Sequence, residues 1–276
     1  MKLSPLLINM SNKSSIKVKT SEELRIMREG GKKLARVKEK LMKKVGEGVS
    51  AIEIEELACK LIEDEGAESS FKMVPRYRWA TCVNVNEGVV HGIPNKQIIF
   101  KKGDIVSVDV GIYYKGFHTD TSFSIGVGID HKKSRFLEAG KKAFEAALSK
   151  VVPGMRIFDI SEAIEKSLEN AGYTPIRALV GHGVGRELHE DPQIPCFTHD
   201  KRDDTPEISE GHVYAIEVMY AMGKPDVRTA DDGWTIETRD GKISGLFEET
   251  VAAVKTGPEV LTRLEKEKSS RKYSVS

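Results

Sequence analysis

The sequence predicts an α+β chain built from two similar helix–helix–strand halves. Three observations support this. The first is an internal repeat. Val45-Gly46-Glu47-Gly48-Val49, with Glu53-Ile54 and Glu56 after it, resembles Val151-Val152-Pro153-Gly154-Met155, with Asp159-Ile160 and Glu162 after it, at an offset of 106. Gly66 and Gly172 stand at the same offset, where each following helix stops. The second is a likeness between Gly103-Asp104-Ile105-Val106-Ser107-Val108-Asp109-Val110 and Gly211-His212-Val213-Tyr214-Ala215-Ile216-Glu217-Val218, at an offset of 108. The third is periodicity, with 3.6-residue apolar stripes alternating with short runs rich in Val, Ile and Tyr.

The elements follow in order. Thr20–Lys44 reads as a helix with Ser21 as N-cap, a stripe of Leu24, Met27, Leu34, Val37 and Leu41, and Glu22 and Glu23 at the positive end of its dipole. Ser50–Glu65 reads as a second helix, with Ile54, Leu57, Leu61 and Ile62 inward and Gly66 as its stop. Ile105–Val110 and Gly111–Tyr114 read as strand, continuing through Thr121–Val127. Ser134–Val151 and Ile160–Asn170 are helices, and Val213–Met219, Gly233–Glu237 and Phe247–Val254 are strands. Residues 1–18 and 263–276 are expected to be flexible tails around one domain, 19–262, whose halves run roughly 19–128 and 129–262.

Composition excludes several function classes. Charges nearly cancel, with 43 basic and 42 acidic residues, so no nucleic-acid or membrane-surface partner is expected. No apolar run approaches the roughly 20 residues of a membrane helix. The three cysteines, Cys59, Cys82 and Cys196, lie far apart and form no CxxC pair. That suits neither a zinc finger nor a disulfide framework, and a cytoplasmic location is expected.

The chemistry lies in misplaced acids. Asp109 and Glu217 occupy equivalent positions of the repeat, each six residues after its glycine in an apolar strand. Two packed halves bring such positions face to face. A buried ionised carboxylate is costly, and two together are worse unless a cation lies between them. Asp120 follows Asp109 by eleven residues, the spacing of a hairpin turning at Lys115-Gly116. Gly181-His182-Gly183 supplies an imidazole in permissive backbone, and Glu248 or Glu249 adds an acid in a late strand. A set of Asp109, Asp120, His182, Glu217 and one of that last pair suits two divalent ions such as Mn, Fe(II), Co or Zn. Two metals about 3.5–4 Å apart activate water and stabilise an oxyanion.

With these residues assembled, the sequence resembles the type I methionine aminopeptidases, of pita-bread fold. The resemblance rests on Asn84-Val85-Asn86-Glu87 with His91-Gly92-Ile93-Pro94, Gly103-Asp104-Ile105-Val106 with Asp109, and Gly116-Phe117-His118-Thr119-Asp120-Thr121-Ser122. It continues in Gly181-His182-Gly183-Val184-Gly185, His189-Glu190-Asp191-Pro192, Glu217 and Asp232-Gly233-Trp234-Thr235. It implies two pseudo-symmetric halves around a curved antiparallel sheet. Asp109 would chelate one metal, Asp120 would bridge both, and His182 and Glu217 would hold the other. Thr250 selects Glu248 as the second bridging acid, leaving Glu249 where many members carry histidine. Strand alternation agrees that only one neighbour can serve. Glu217 is the expected general base. His91 would hydrogen-bond near the scissile amide, and His189 would stabilise the oxyanion.

The resemblance also implies a substrate. A closed apolar pocket of Tyr77, Cys82, Leu188 and Trp234 would take methionine at the free N-terminus of nascent chains, with the ribosome as a candidate contact and a monomer as the usual state. Arg76-Tyr77-Arg78-Trp79 departs from the family where Gly-Phe-Pro or Gly-Tyr-Pro is common, and Leu188 stands where phenylalanine is common. Two alternatives share the fold. A proline-directed aminopeptidase or prolidase is expected to carry a large extra N-terminal domain, for which too few residues precede Thr20. A non-catalytic binding module is expected to have lost ligands that this chain retains.

Overall fold

The computed structural model describes residues 16–264. Most of both expected tails therefore lies outside the described residues. Among the described residues, four α-helices and thirteen strands follow in order: α1 Ser21–Lys44, α2 Ala51–Asp64, β1 Glu68–Ser69, β2 Thr81–Val85, β3 Gly88–Val90, β4 Ile105–Tyr114, β5 Phe117–Gly126, α3 His131–Leu148, α4 Ile157–Asn170, β6 Thr174–Pro175, β7 Val180–Gly183, β8 Glu190–Pro195, β9 Val213–Ala221, β10 Val227–Thr229, β11 Ile236–Thr238, β12 Ser244–Val254 and β13 Gly257–Val260.

Helix starts are set by side chains that satisfy the free amides of the first turn. Thr20, not Ser21, caps α1: its hydroxyl accepts from Glu23 N at 3.3 Å while Glu23 returns a bond to Thr20 N at 2.8 Å. On α2, Glu53 accepts from both Ser50 N and the Ser50 hydroxyl at 2.9 Å. Asp130 accepts from Lys133 N at 2.9 Å and starts α3 earlier than Ser134. Asp159 accepts from Arg156 N at 2.8 Å and starts α4 at Ile157 rather than Ile160. Gly66 and Gly172 end α2 and α4 at φ +65° and +79°, a backbone region that strongly favours glycine.

The main sheet orders its strands β1-β4-β5-β12-β9-β7-β8, with β2 pairing β4, β6 pairing β9 and β13 pairing β12. Its pairings are antiparallel. The β4–β5 hairpin of the first half meets the β9–β12 pair of the second where β5 joins β12. Two apolar clusters lie beneath the sheet, one within the first half and one mostly in the second, which also takes in Val89, Val90 and Ile105. Leu34, Leu41, Ile54 and Val108 are among the residues of one, and Phe136, Ile160, Ile164 and Tyr214 of the other. The predicted strand from Gly233 is shorter, because Asp232 folds Gly233–Thr235 into a turn and β11 starts at Ile236. β5 begins at Phe117 rather than Thr121, directly after the turn at Lys115 (φ +47°) and Gly116 (φ +91°). No helix among the described residues is long and apolar enough to cross a membrane.

Candidate active site

The site is a consequence of register. Cys82 pairs with Asp109, Asp109 with Ser122, Ser122 with Glu248, and Glu248 with Glu217. Residues directly opposite share a face, so these five form one row across β2, β4, β5, β12 and β9. The next row on that face holds Gly111 opposite Asp120, and Thr250, Ala215 and His182 in line. Asp109 and Asp120 are thus diagonal neighbours of the predicted hairpin. Gly111 leaves the space: a Cβ there would lie 3.1 Å from Asp120 Oδ1 and 2.9 Å from the Phe71 ring. Asp120 is fixed at its backbone, since Thr250 Oγ1 accepts from Asp120 N at 2.8 Å.

His182 donates from Nδ1 to Gly183 O at 2.9 Å, which leaves the Nε2 lone pair directed away from that bond. Its Nε2 lies 4.0 Å from Glu217 Oε1. Burial pushes the imidazole down to about 4, so it is neutral at pH 7. Burial acts oppositely on the acids. It pushes Asp120 up to about 7, against the pull of hydrogen bonds from Thr121 N and Asp109. Asp109 and Glu248 lie well above the usual carboxylate range, first from burial and then from repulsion by the other acids. Glu217 is raised by burial and by the charge of Asp120.

The buried acids lack a balancing charge from the protein's own described side chains. Among the described residues, no lysine or arginine forms an ion pair with Asp109, Asp120, Glu217 or Glu248. Asp109 Oδ1 is buried with no hydrogen-bond partner. Asp120, His182 and Glu248 each offer a ligand atom, all within 4.8 Å of one another. Oxygen-rich donors with one neutral imidazole and no compensating cation fit divalent metal. Glu249 does not share this face: it accepts from Lys38 Nζ at 2.7 Å.

All eleven residues singled out from the sequence line one cavity of about 280 Å³: His91, Asp109, Asp120, His182, His189, Glu217, Glu248, Tyr77, Cys82, Leu188 and Trp234. Its apolar side is built around Tyr77. That ring meets Trp234 edge-on at 5.0 Å, and its hydroxyl donates to Thr81 O at 2.9 Å and lies 3.2 Å from Cys82 Sγ. Phe71, Cys82 and Leu188 complete this cluster. His189 stands 4.5 Å from the His182 ring. His91 sits at φ +60°, which is costly for a residue with a Cβ. Gly92 holds that loop close, donating to Asn84 Oδ1 at 3.0 Å, where an added Cβ would meet Val83 O at 2.3 Å.

Several supports of the site come from residues that sequence reasoning missed. Glu55 on α2 accepts from Ala80 N, Thr81 N and Thr81 Oγ1 at 2.7, 2.9 and 2.7 Å, fixing the backbone just before Cys82. Lys19 and Glu190 form a buried pair at 2.6 Å beside the loop of Leu188 and His189. Both depend on contacts between distant segments, for which a linear sequence carries no local signal.

The model for metallopeptidase family M24 matches residues 25–254. The chain belongs to metallopeptidase family M24. This M24 chain is 40% identical over 247 residues to methionine aminopeptidase 1 of Bacillus subtilis strain 168, covering 89% of this chain and 98% of that protein. It is 34% identical over 250 residues to the methionine aminopeptidase of Escherichia coli K12, covering 90% and 94%. Among solved structures, the crystal structure of a methionine aminopeptidase from Thermotoga maritima superposes with a TM-score of 0.87 at 38% identity, covering 90% of this chain and all of that one. Prolidase from Pyrococcus furiosus shares the fold alone, with a TM-score of 0.71 at 23% identity, covering 90% of this chain and 66% of its own. These neighbours carry the pita-bread fold expected from the sequence.

Proposed function

We propose that this M24 peptidase is a methionine aminopeptidase that removes the initiator methionine from nascent polypeptides in the cytoplasm. The observation that carries the reading is the meeting, in one cavity, of the acid–imidazole cluster with the small apolar pocket around Tyr77. Asp109, Asp120, His182, Glu217 and Glu248 would hold two divalent ions drawn from Co, Mn, Fe(II) and Zn. Bound ions would supply Lewis acidity and ease the loss of a proton from water at neutral pH.

The chain's own groups do the remainder. Glu217 lies beside His182 and is the group to accept the proton released from the attacking water, later returning it to the leaving amine. His189 donates to the carbonyl oxygen as its charge develops, and His91 holds the scissile amide from its strained loop. Tyr77, Cys82, Leu188 and Trp234 line the apolar end, where they would surround the methionine thioether. At about 280 Å³ the space lies at the small end of ligand pockets, suiting one side chain rather than a long segment.

The test is cleavage of Met-Ala-Ser, Met-Lys-Ser and Leu-Ala-Ser by metal-stripped protein resupplied in turn with Mn, Fe(II), Co and Zn. Metal-dependent release of methionine from Met-Ala-Ser, with Leu-Ala-Ser spared, is expected. Preference for Leu-Ala-Ser would remove the methionine assignment. The likeness to prolidases is one of fold and does not favour a proline-directed reading.

A further inference from the structure

Glu249 has no part in the reaction outlined above, yet it is buried one residue after Glu248. Its carboxylate is saturated. Oε1 accepts from Lys38 Nζ at 2.7 Å and from Arg263 Nε at 3.2 Å. Oε2 accepts from Thr262 Oγ1 at 2.5 Å and from Thr121 Oγ1 at 3.1 Å. The Lys38 and Glu249 side chains are 5% and 6% exposed. Arg263 is shared with the exposed Glu145 at 2.9 Å.

The placement ties two sides of the sheet together. Along β12, Glu248 faces the cavity and Glu249 the opposite side, where α1 brings Lys38. Along β5 the alternation is the same: Asp120 faces the cavity, and Thr121 pairs in register with Glu249 behind it. Thr121 Oγ1 also lies 2.8 Å from Glu248 O, and Thr121 N donates to Asp120 Oδ1 at 3.0 Å. On the back of the sheet the Thr121 hydroxyl, next in sequence to Asp120, therefore shares its one proton between the Glu249 carboxylate and the Glu248 backbone carbonyl. A register slip of one residue would carry Glu248 to the back and Glu249 to the front. Replacing a buried ion pair by apolar residues is often neutral or stabilising, so stability alone does not account for these charges.

We propose that the Lys38–Glu249 pair is a positioning device: from behind the sheet it holds Asp120 and Glu248 at the spacing a divalent ion requires. The inference rests on the metal-site reading above. Neither residue touches the ion. Their effect passes through Thr121 and the β5–β12 backbone.

The experiment is calorimetric titration of Mn²⁺ into the metal-stripped full chain, with thermal melts of the same metal-free samples. The variants are K38M/E249L and E249Q. The double variant removes both charges and fills their space with apolar groups. Its metal-free Tm should stay within a few degrees of the parent, while Mn²⁺ affinity falls about 10- to 100-fold, the usual effect of losing the groups that orient a ligand. E249Q keeps an oxygen acceptor but loses the charge facing Lys38, so affinity should fall several-fold. A double variant that binds Mn²⁺ as the parent does would overturn the proposal. Were the double variant not to fold, unchanged affinity in E249Q would overturn it. A parent chain that binds no Mn²⁺ would sink the metallopeptidase reading itself, and this inference with it.

Discussion

At the residue scale, two adjacent glutamates have opposite lives. Glu248 faces three other acids with no lysine or arginine among the described residues paired to it, whereas Glu249 takes hydrogen bonds from four residues on the other side of the strand. Glu217 is the residue whose role is most open to test. Glu217→Gln keeps the shape of the side chain and removes its capacity to take a proton. Its kcat on Met-Ala-Ser should fall roughly 10²- to 10⁴-fold, the range for a lost general base. A variant retaining more than a tenth of parental kcat would assign that role elsewhere. The acids and His182 were legible in the sequence because a carboxylate in an apolar strand is conspicuous. The preference for Glu248 over Glu249 needed the resemblance through Thr250, since alternation alone says only that one of the two can serve. The partner of Glu249 was not legible: Lys38 lies 211 residues away in a helix that reads as an ordinary amphipathic one.

At the element scale, long elements were legible and short ones were not. The repeat, the hairpin at Lys115-Gly116 and the helix stops at Gly66 and Gly172 all reflect local chemistry that periodicity and glycine reveal. β2, β3 and β8 span 3 to 6 residues, and β2 and β3 are buried almost throughout, so they show no alternation. The loop between β7 and β8 shows the same dependence on distant partners. Lys17, Lys19 and Glu23, before and within the first turn of α1, pair with Glu187, Glu190 and Arg186, around Leu188 and His189. Lys19 and Glu190 are each 2% exposed in their side chains. Lys19→Met should therefore destabilise the protein by about 3 kcal/mol, the lower end for a broken buried pair, because Glu190 keeps only Lys17 at 3.9 Å as a charged partner. Burial raises the Glu190 carboxyl, but bonds from Lys19 and from the Glu187 and Arg186 amides outweigh it and leave it below 4.5. A depressed folded value means that this stabilisation is present above about pH 4.5 and is lost as pH falls through the folded value. The gap in Tm between parent and variant should be wide at pH 7 and narrow toward pH 3. A gap that stays constant with pH would show that the pair's charge is not what stabilises the loop.

At the scale of the whole molecule, the two halves deliver their acids to the junction of β5 and β12, and the fold tolerates them only with positive charge nearby. For the metal-free protein the sign is set by Asp120, whose folded value is raised from 3.8 to about 7. A raised carboxyl favours the protonated form in the fold, so its contribution is fully present below about pH 3.8 and is lost as pH climbs through about 7. The Tm of chelator-treated protein should fall across that window. Added Mn²⁺ should raise Tm more at pH 8 than at pH 5, because at the lower pH it must displace a proton. Ligand at 100 times its dissociation constant stabilises by about 2.7 kcal/mol, which is readily seen in a melt. An equal metal-induced rise at both pH values would contradict this account of the acids.

The most direct measurement is anomalous diffraction from crystals grown with excess Mn²⁺. Two manganese peaks are predicted on the cavity face of the sheet, enclosed by Asp109, Asp120, His182, Glu217 and Glu248, with Glu249 turned away toward Lys38. Absence of manganese from that cluster, with the acids instead protonated and bonded to one another, would contradict the claim.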